Sequence, residues 1–219
     1  MSALPTPGEG EERAAPRSPK GVATRARLLD AAKEVFEERG FLEARISDIA
    51  ERAALSHGAF YHYFDSKEHI FREVAEVLDE RLSEPMESIL FASTPISGPR
   101  HRLFLALRRH FEAYAEEARI MGVIEEVARY DPHVYAVRSA GNARNRRQIA
   151  DSIRRLQRRR LADATLDPDI AAAALGSMVE RLAEMWLAQG QLDATLEDVT
   201  ETLATLFANA LGLKPDVGT

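Results

Sequence analysis

The chain has 219 residues, a formal net charge of −6, 45% hydrophobic and 29% charged residues, the composition of one or two folded domains rather than of a disordered chain. Cysteine is absent, which excludes a disulfide framework, a thiolate metal site and a cysteine nucleophile. No apolar run approaches the roughly 18 residues of a membrane span, and residues 1–20, with three acids, three bases and no apolar core, are not expected to be a secretory signal. A cytoplasmic protein is expected.

Residues 1–20 carry Pro5, Pro7, Pro16 and Pro19, a density that prevents a helix and predicts a flexible arm. From Val22 onward the pattern is helical. Leu28, Leu29, Ala32, Val35 and Phe36 recur on one face, and Gly40 supplies a stop. A short helix follows with Ile46, Ile49, Ala50 and Ala53, then a tight connection through Ala54, Leu55 and Ser56, then a helix from His57 to about Tyr63. Asp65 with Glu68 reads as a capping box opening a fourth helix through Ile70, Phe71, Val74, Val77 and Leu78. Pro85, Pro95, Pro99, Pro132 and Pro168 punctuate the rest, with helical stretches near 100–117, 119–130, 133–160, 169–189 and 196–212. No stretch makes a convincing strand. The fold class is all-α: a three-helix N-terminal unit followed by a larger helical bundle.

Short helix, tight turn, short helix is the geometry that holds one helix proud of a scaffold for the DNA major groove. Ile49, Ala50 and Leu55 would bury against Phe36 and Phe60, while Ser56 caps the next helix. Gly58 and Ala59 leave that helix nearly bare, and Tyr61, His62 and Tyr63 add polar donors suited to phosphates. Phe60, Tyr61 and Phe64 would equally suit a core aromatic cluster, and residues 21–70 hold seven bases against nine acids. Lys67, Arg45, Arg52 and Arg25 would have to supply the local positive charge that DNA requires.

The run from Thr24 to Lys67 resembles the DNA-binding domain of the TetR family of transcriptional regulators. The resemblance is carried by Ala31-Ala32, Phe36, Arg39-Gly40, Asp48-Ile49-Ala50, the string from Ser56 to Phe64 and Ser66-Lys67-Glu68. It implies phosphate contacts from Tyr61, Tyr63 and Lys67, and base-edge approach by Ser47, His57, Gly58, Ala59 and His62. Members usually have Ser or Thr where this chain has Arg45 and Ile46, so a helix cap and phosphate contact are exposed to loss, with Arg45 a charged substitute. The family's turn glycine is Ala54 here, which matters if the position needs a positive φ.

Residues 100–190 carry aromatic and methionine-rich apolar faces. A packed core is one reading; a cavity with a few polar handles is the other. The resemblance implies a small-molecule effector pocket, with Phe111, Tyr114, Met121, Ile124, Tyr135, Met178, Leu182 and Trp186 as expected lining. Residues 131–160 hold nine bases and two acids, with Arg144, Arg147, Arg154 and Arg158 on one face. That face is open to three readings: a solvated surface, pairing with the acidic 161–219 segment, or an anion site such as an acyl-coenzyme A would need. Ala171, Ala174, Leu175, Met178 and Val179, with Leu196, Val199, Leu203, Leu206, Phe207, Ala210 and Leu211, give two helices suited to a four-helix dimer interface.

No Glu-x-x-His pair, phosphate-cradling Gly-rich loop or Gly-x-Ser-x-Gly elbow occurs, and the six histidines show no ligand spacing. An enzyme is not expected, nor a cofactor or a metal. The domains are expected as an arm over 1–20, a helix-turn-helix unit over 21–65 and an effector-binding and dimerisation unit over 66–213. The expected function is a homodimeric repressor on a palindromic double-stranded DNA operator, released by a small, largely apolar, acyl-coenzyme A-like effector. The alternatives are a ligand-binding or scaffold protein that no longer binds specific DNA, and a regulator that binds DNA only when liganded.

Overall fold

Proline opens helices here more often than it closes them. Pro19, Pro99, Pro132 and Pro168 each stand at the first helical position, where the missing N–H would have had no partner. Three of the residues just before them cap the helix. Ser18 accepts from Gly21 N at 3.1 Å, Asp131 from His133 N and Val134 N at 2.8 and 3.1 Å, and Asp167 from Asp169 N and Ile170 N at 2.9 and 3.0 Å.

The computed structural model describes residues 18–90 and 98–213, with the backbone alone for 83–90. Most of the expected arm, with Arg13 and Arg17, lies outside the described residues, and Pro95 does too; helix α1 already begins at Pro19. The chain divides into two compact units, Met1–Phe71 and Arg72–Thr219. Every regular element among the described residues is a helix, with no strand among them, and no described helix is long and apolar enough to cross a membrane.

The first unit contains α1 (Pro19–Glu43), α2 (Ile46–Arg52), α3 (His57–Phe60) and the start of α4 (Lys67–Leu90). Gly40, at φ 71°, breaks α1 near its end, a conformation glycine adopts without steric cost. The core is the face foreseen from the spacing: Leu28, Ala32, Val35, Phe36, Ile49, Phe60, Phe64, Ile70 and Phe71 are wholly buried. Phe36 meets Phe71 edge-on at 4.9 Å, and Phe60 meets Phe64 at 5.7 Å.

Two details of α4 correct the sequence reading. Its cap is Ser66 rather than Asp65: Ser66 Oγ accepts from His69 N at 3.1 Å, and His69 Nδ1 in return accepts from Asp65 N at 3.3 Å. The arrangement is like a capping box shifted by one residue, except that the imidazole accepts from the N–H of Asp65, the residue before the cap, rather than from Ser66. The helix also continues to Leu90, so Pro85 lies within it rather than beyond its end.

The second unit holds the rest of α4, then α5 (Pro99–Glu116), α6 (Ala118–Ala128), α7 (Pro132–Arg158), α8 (Pro168–Ala183) and α9 (Leu196–Ala210). α8 runs on into a single π-helical turn, Glu184–Ala188. α7 packs along α8 and α6, and α5 along α9. Leu107, Phe111, Ile120, Met121, Ile124, Val127, Val134 and Ile153 form the centre of this core, all at most 2% exposed.

Candidate functional site

The α2–α3 connection is a Schellman closure. Leu55 N donates to Ala50 O and Ala54 N to Glu51 O, both at 2.9 Å. The geometry puts Ala54 at φ 53°, so the position does require the left-handed conformation, and an alanine bears it. The Arg27 guanidinium donates to Ala53 O, and Ser56 Oγ accepts from Ala59 N at 3.2 Å, capping α3 as expected. α2 begins at Arg45 without any side-chain cap, the loss that replacing a hydroxyl residue entails.

This frame sorts the aromatic string. Phe60 and Phe64 are core, whereas Tyr61 is 39% exposed and stands edge-on to His57 at 5.4 Å. Arg45, Ser47, His57, Gly58, Tyr61 and His62 are exposed, and Ala59 and Tyr63 are half-buried. A Cβ added at Gly58 would meet nothing within 4 Å, so the α3 backbone is open to close approach by a ligand. The face offers hydroxyl, imidazole and bare backbone, a set suited to phosphate and groove contact.

The positive charge is distributed differently from the expectation. Lys67, assigned to a phosphate, gives its ammonium to three carbonyls at the end of α1: Phe41 O at 2.7 Å, Ala44 O at 3.0 Å and Leu42 O at 3.1 Å. It also sits 4.6 Å from the Phe41 ring. An ammonium has three protons, and all three are used. Arg52 makes a two-pronged pair with Glu38 at 2.6 and 2.7 Å, Arg39 pairs with Asp48, and Arg25 lies over the Phe64 ring at 5.0 Å. Arg45 has no hydrogen-bond or ion-pair partner among the described residues. Its guanidinium is therefore the cation of this face that a phosphate could take without breaking an existing pair.

The eight expected effector-lining residues do not converge. Phe111 and Ile124 are buried core; Trp186 packs on Phe111 at 5.7 Å and donates Nε1–H to Ala194 O at 3.1 Å. Tyr135 is 62% exposed. Met178 and Leu182 line a wide apolar groove of about 650 Å³ between α8 and α9, with Leu203 and Leu206. Tyr114 and Met121 share a different cavity, of about 290 Å³, with residues of α4, α7 and α8.

That second cavity is polar, and sequence reasoning missed most of it. His110, Glu125, Arg138, Asn142, Asn145 and Glu180 belong to its wall. Arg138, Asn142 and Asn145 lie four and three residues apart, so one face of α7 is polar and turned inward; helical spacing is the signal that could have found them. Arg138 is its hub, pairing with Glu125 on α6 at 2.7 Å and lying 3.6 Å from Asp79 on α4. Asp79 also pairs with Arg144. A Cβ at Gly141 would collide with the Asp79 carboxylate, so glycine lets α4 and α7 interlock at this point. Burial pushes the Asp79 carboxyl above its ordinary range, against the pull of the two arginines. Burial likewise takes His110 down to about 4, assisted by Arg138 and opposed by its hydrogen bond to the Leu82 backbone.

A third cavity, of about 200 Å³, is apolar and lies among α5, α7, α8 and α9; Leu103, Leu107, Ile153, Leu156 and Phe207 are in its wall. Its arginines are Arg102, Arg155 and Arg159, not the expected Arg144, Arg147, Arg154 and Arg158. The difference is one of helix face: Arg154 turns outward to Asp151 and Asp169 at 2.9 and 2.5 Å, pairing in part with the acidic segment. Arg147 and Arg158 are exposed.

A sequence model of the family described as "Bacterial regulatory proteins, tetR family" matches residues 28–74. The HTH-type transcriptional regulator UidR of Escherichia coli K12 is 30% identical over 199 residues, covering 89% of this chain and 91% of its own. The uncharacterised regulator YdgC of Bacillus subtilis is 29% identical over 178 residues, 80% of this chain and 86% of its own. Among solved structures, the fatty acid degradation regulator FadR of Bacillus halodurans superposes with a TM-score of 0.73 at 16% identity, over 91% of this chain and all of that one, a likeness of fold.

Proposed function

The chain belongs to the TetR family of transcriptional regulators and is not an enzyme, and on that premise we propose that it is a homodimeric repressor of a palindromic operator, released by an effector. Residues 21–65 would read DNA, residues 66–213 would bind effector and dimerise, and residues 1–20 would serve as an arm. The observation that carries this is the outward face of α3. His57, Gly58, Ala59 and His62 would approach base edges, Tyr61 and Tyr63 would take phosphates, and Arg45 and Ser47 would add contacts from the start of α2.

The apolar groove between α8 and α9 supports the dimer. Of the helix faces assigned to it, Leu175, Val179, Val199, Leu203, Phe207 and Leu211 are already buried within the subunit, while Met178 and Leu206 remain 41% and 49% exposed. The outer residues would pack against the same helices of a second copy, as an isologous interface requires.

For the effector, the polar cavity is the stronger candidate, because Asp79 and Leu82 of α4 help to line it and α4 also supplies Lys67–Phe71 to the first unit. A ligand there would act on the helix common to both units, and the shift it causes cannot exceed its differential affinity for the two states. The apolar cavity with Arg102, Arg155 and Arg159 favours a second reading, an apolar effector with an acidic end such as an acyl-coenzyme A.

The test is binding of the purified protein to the DNA flanking its own gene over a salt series. Tight, sequence-selective binding with a steep negative salt slope is expected, at about 0.9 per phosphate contact. Selective binding that appears only with ligand would assign the regulator that needs its effector first. Weak binding indifferent to sequence would assign a protein whose Arg45–Ile46 departures mark lost DNA recognition.

A further inference from the structure

In the polar cavity every carboxylate but one is paired. Asp79 has Arg138 and Arg144, Glu125 has Arg138 at 2.7 Å, and Glu184 has Arg181 at 2.7 Å. Glu180 has neither a hydrogen bond nor an ion pair among the described residues. Both arginines of the wall, Arg138 and Arg181, are thus already committed, and the charge left over is negative. His110 adds an unsatisfied acceptor behind this wall. It is 8% exposed, its hydrogen bond goes to the Leu82 backbone, and its Nδ1 has no partner. A neutral imidazole that gives its one N–H to a carbonyl presents the other nitrogen as a bare acceptor.

From this geometry we infer that the cavity takes a small organic cation, an ammonium or amidinium group on an apolar body, whose N–H donors are received by Glu180. An anionic ligand would enter a wall that already holds four carboxylates, Asp79, Glu125, Glu180 and Glu184, against the two arginines Arg138 and Arg181. A neutral hydroxylated ligand would leave the Glu180 charge uncompensated. Burial holds the Glu180 carboxyl above its ordinary range despite Arg138 and Arg146 nearby, and an adjacent cation acts in the opposite direction. Leu82 and Met121 supply apolar wall for the body of the ligand. No three His, Asp or Glu side chains converge as metal ligands among the described residues.

The assignment of ligand class rests on the reading that the regulator is effector-controlled, and the experiment separates the two. Matched series of ammonium, alcohol and carboxylate compounds on the same bodies (benzyl, phenethyl, cyclohexylmethyl) are titrated into the full chain without DNA. Binding is followed by calorimetry and by the fluorescence of Trp186, the one tryptophan. The ammonium member should bind at least about tenfold more tightly than its alcohol. Glu180→Gln should remove that advantage while leaving alcohol binding within a factor of about three. An alcohol or carboxylate member that binds as well as the ammonium, no saturable ammonium binding at millimolar concentration, or a Glu180→Gln protein that keeps the preference would each overturn the inference. The wild-type series decides it even where the variant does not fold. Adding the best ammonium to the operator complex is the second arm. Glu180-dependent binding that leaves the complex intact upholds the ligand class and sinks effector release.

Discussion

Replacing His110 by leucine should flatten the acid limb of the stability curve. The imidazole is buried and titrates at about 4 in the folded chain against 6.5 as the ordinary value, chiefly because burial penalises its charged form. The sign follows from which state takes up the proton. Below pH 6.5 the unfolded chain protonates this histidine and the folded chain refuses until pH falls to about 4, so stability is fully present above 6.5 and is lost on acidification between those values. Between pH 7.5 and 4.5 the loss amounts to roughly 2.5 kcal/mol, at about 1.4 kcal/mol per pH unit. Asp79 and Glu180, whose carboxyls are raised, act with opposite sign, gaining stability as pH falls through their folded values. They are present in both proteins, so the difference between the two curves isolates His110. The assay is urea unfolding at fixed protein concentration, since the stability of the proposed dimer would depend on it. The leucine variant should start lower at neutral pH, by about 1–3 kcal/mol for the Leu82 carbonyl left unpaired, and the curves should converge in acid. Curves that stay parallel would refute the burial of a neutral imidazole.

Gly141→Ala should cost about 1–3 kcal/mol in chemical denaturation, because the new methyl group meets the Asp79 carboxylate rather than open space. Ala54→Gly should raise stability by about 0.5–1 kcal/mol, read as a higher Tm, because it relieves a positive φ. Arg45→Ala should weaken DNA binding across all sequences and lower the magnitude of the salt slope by about 1. Arg52→Ala should leave that slope unchanged, its guanidinium being already paired with Glu38. Leu206→Lys should give a monomer in sedimentation and abolish tight operator binding, since this half-exposed leucine belongs to the α8–α9 groove.

What the sequence made legible was whatever repeats along one element. The buried face of α1, the turn at Ala54, the Ser56 cap and the stripes of α8 and α9 all follow from spacing within a single helix. What it concealed depends on partners far along the chain. Lys67 looked like a cation facing DNA, yet its three protons go to carbonyls more than twenty residues earlier. Asn142 and Asn145 were not singled out from the sequence, and only the approach of α4, α5 and α8 makes them cavity wall. Tyr135 and Met178 were grouped with the core aromatics because their chemistry matched, but their helix faces do not turn the same way. Side-chain chemistry suggested an aromatic and methionine-rich wall, whereas the cavity favoured above is lined mostly by polar residues. Its members were set by which helices cross, information that no local window contains.

The fit of Asp79 against Gly141 also sets the register of α4 on α7. A carboxylate seated where its neighbour has no side chain, with Arg138 and Arg144 holding it, works as a pin in a notch: moving it along α7 would take it off the glycine and away from both arginines. One rise of about 1.5 Å per residue is then the smallest step by which the two helices could be re-registered, and only one position in this stretch of α7 offers the notch. In mechanical terms α4 is keyed to α7 rather than merely packed on it.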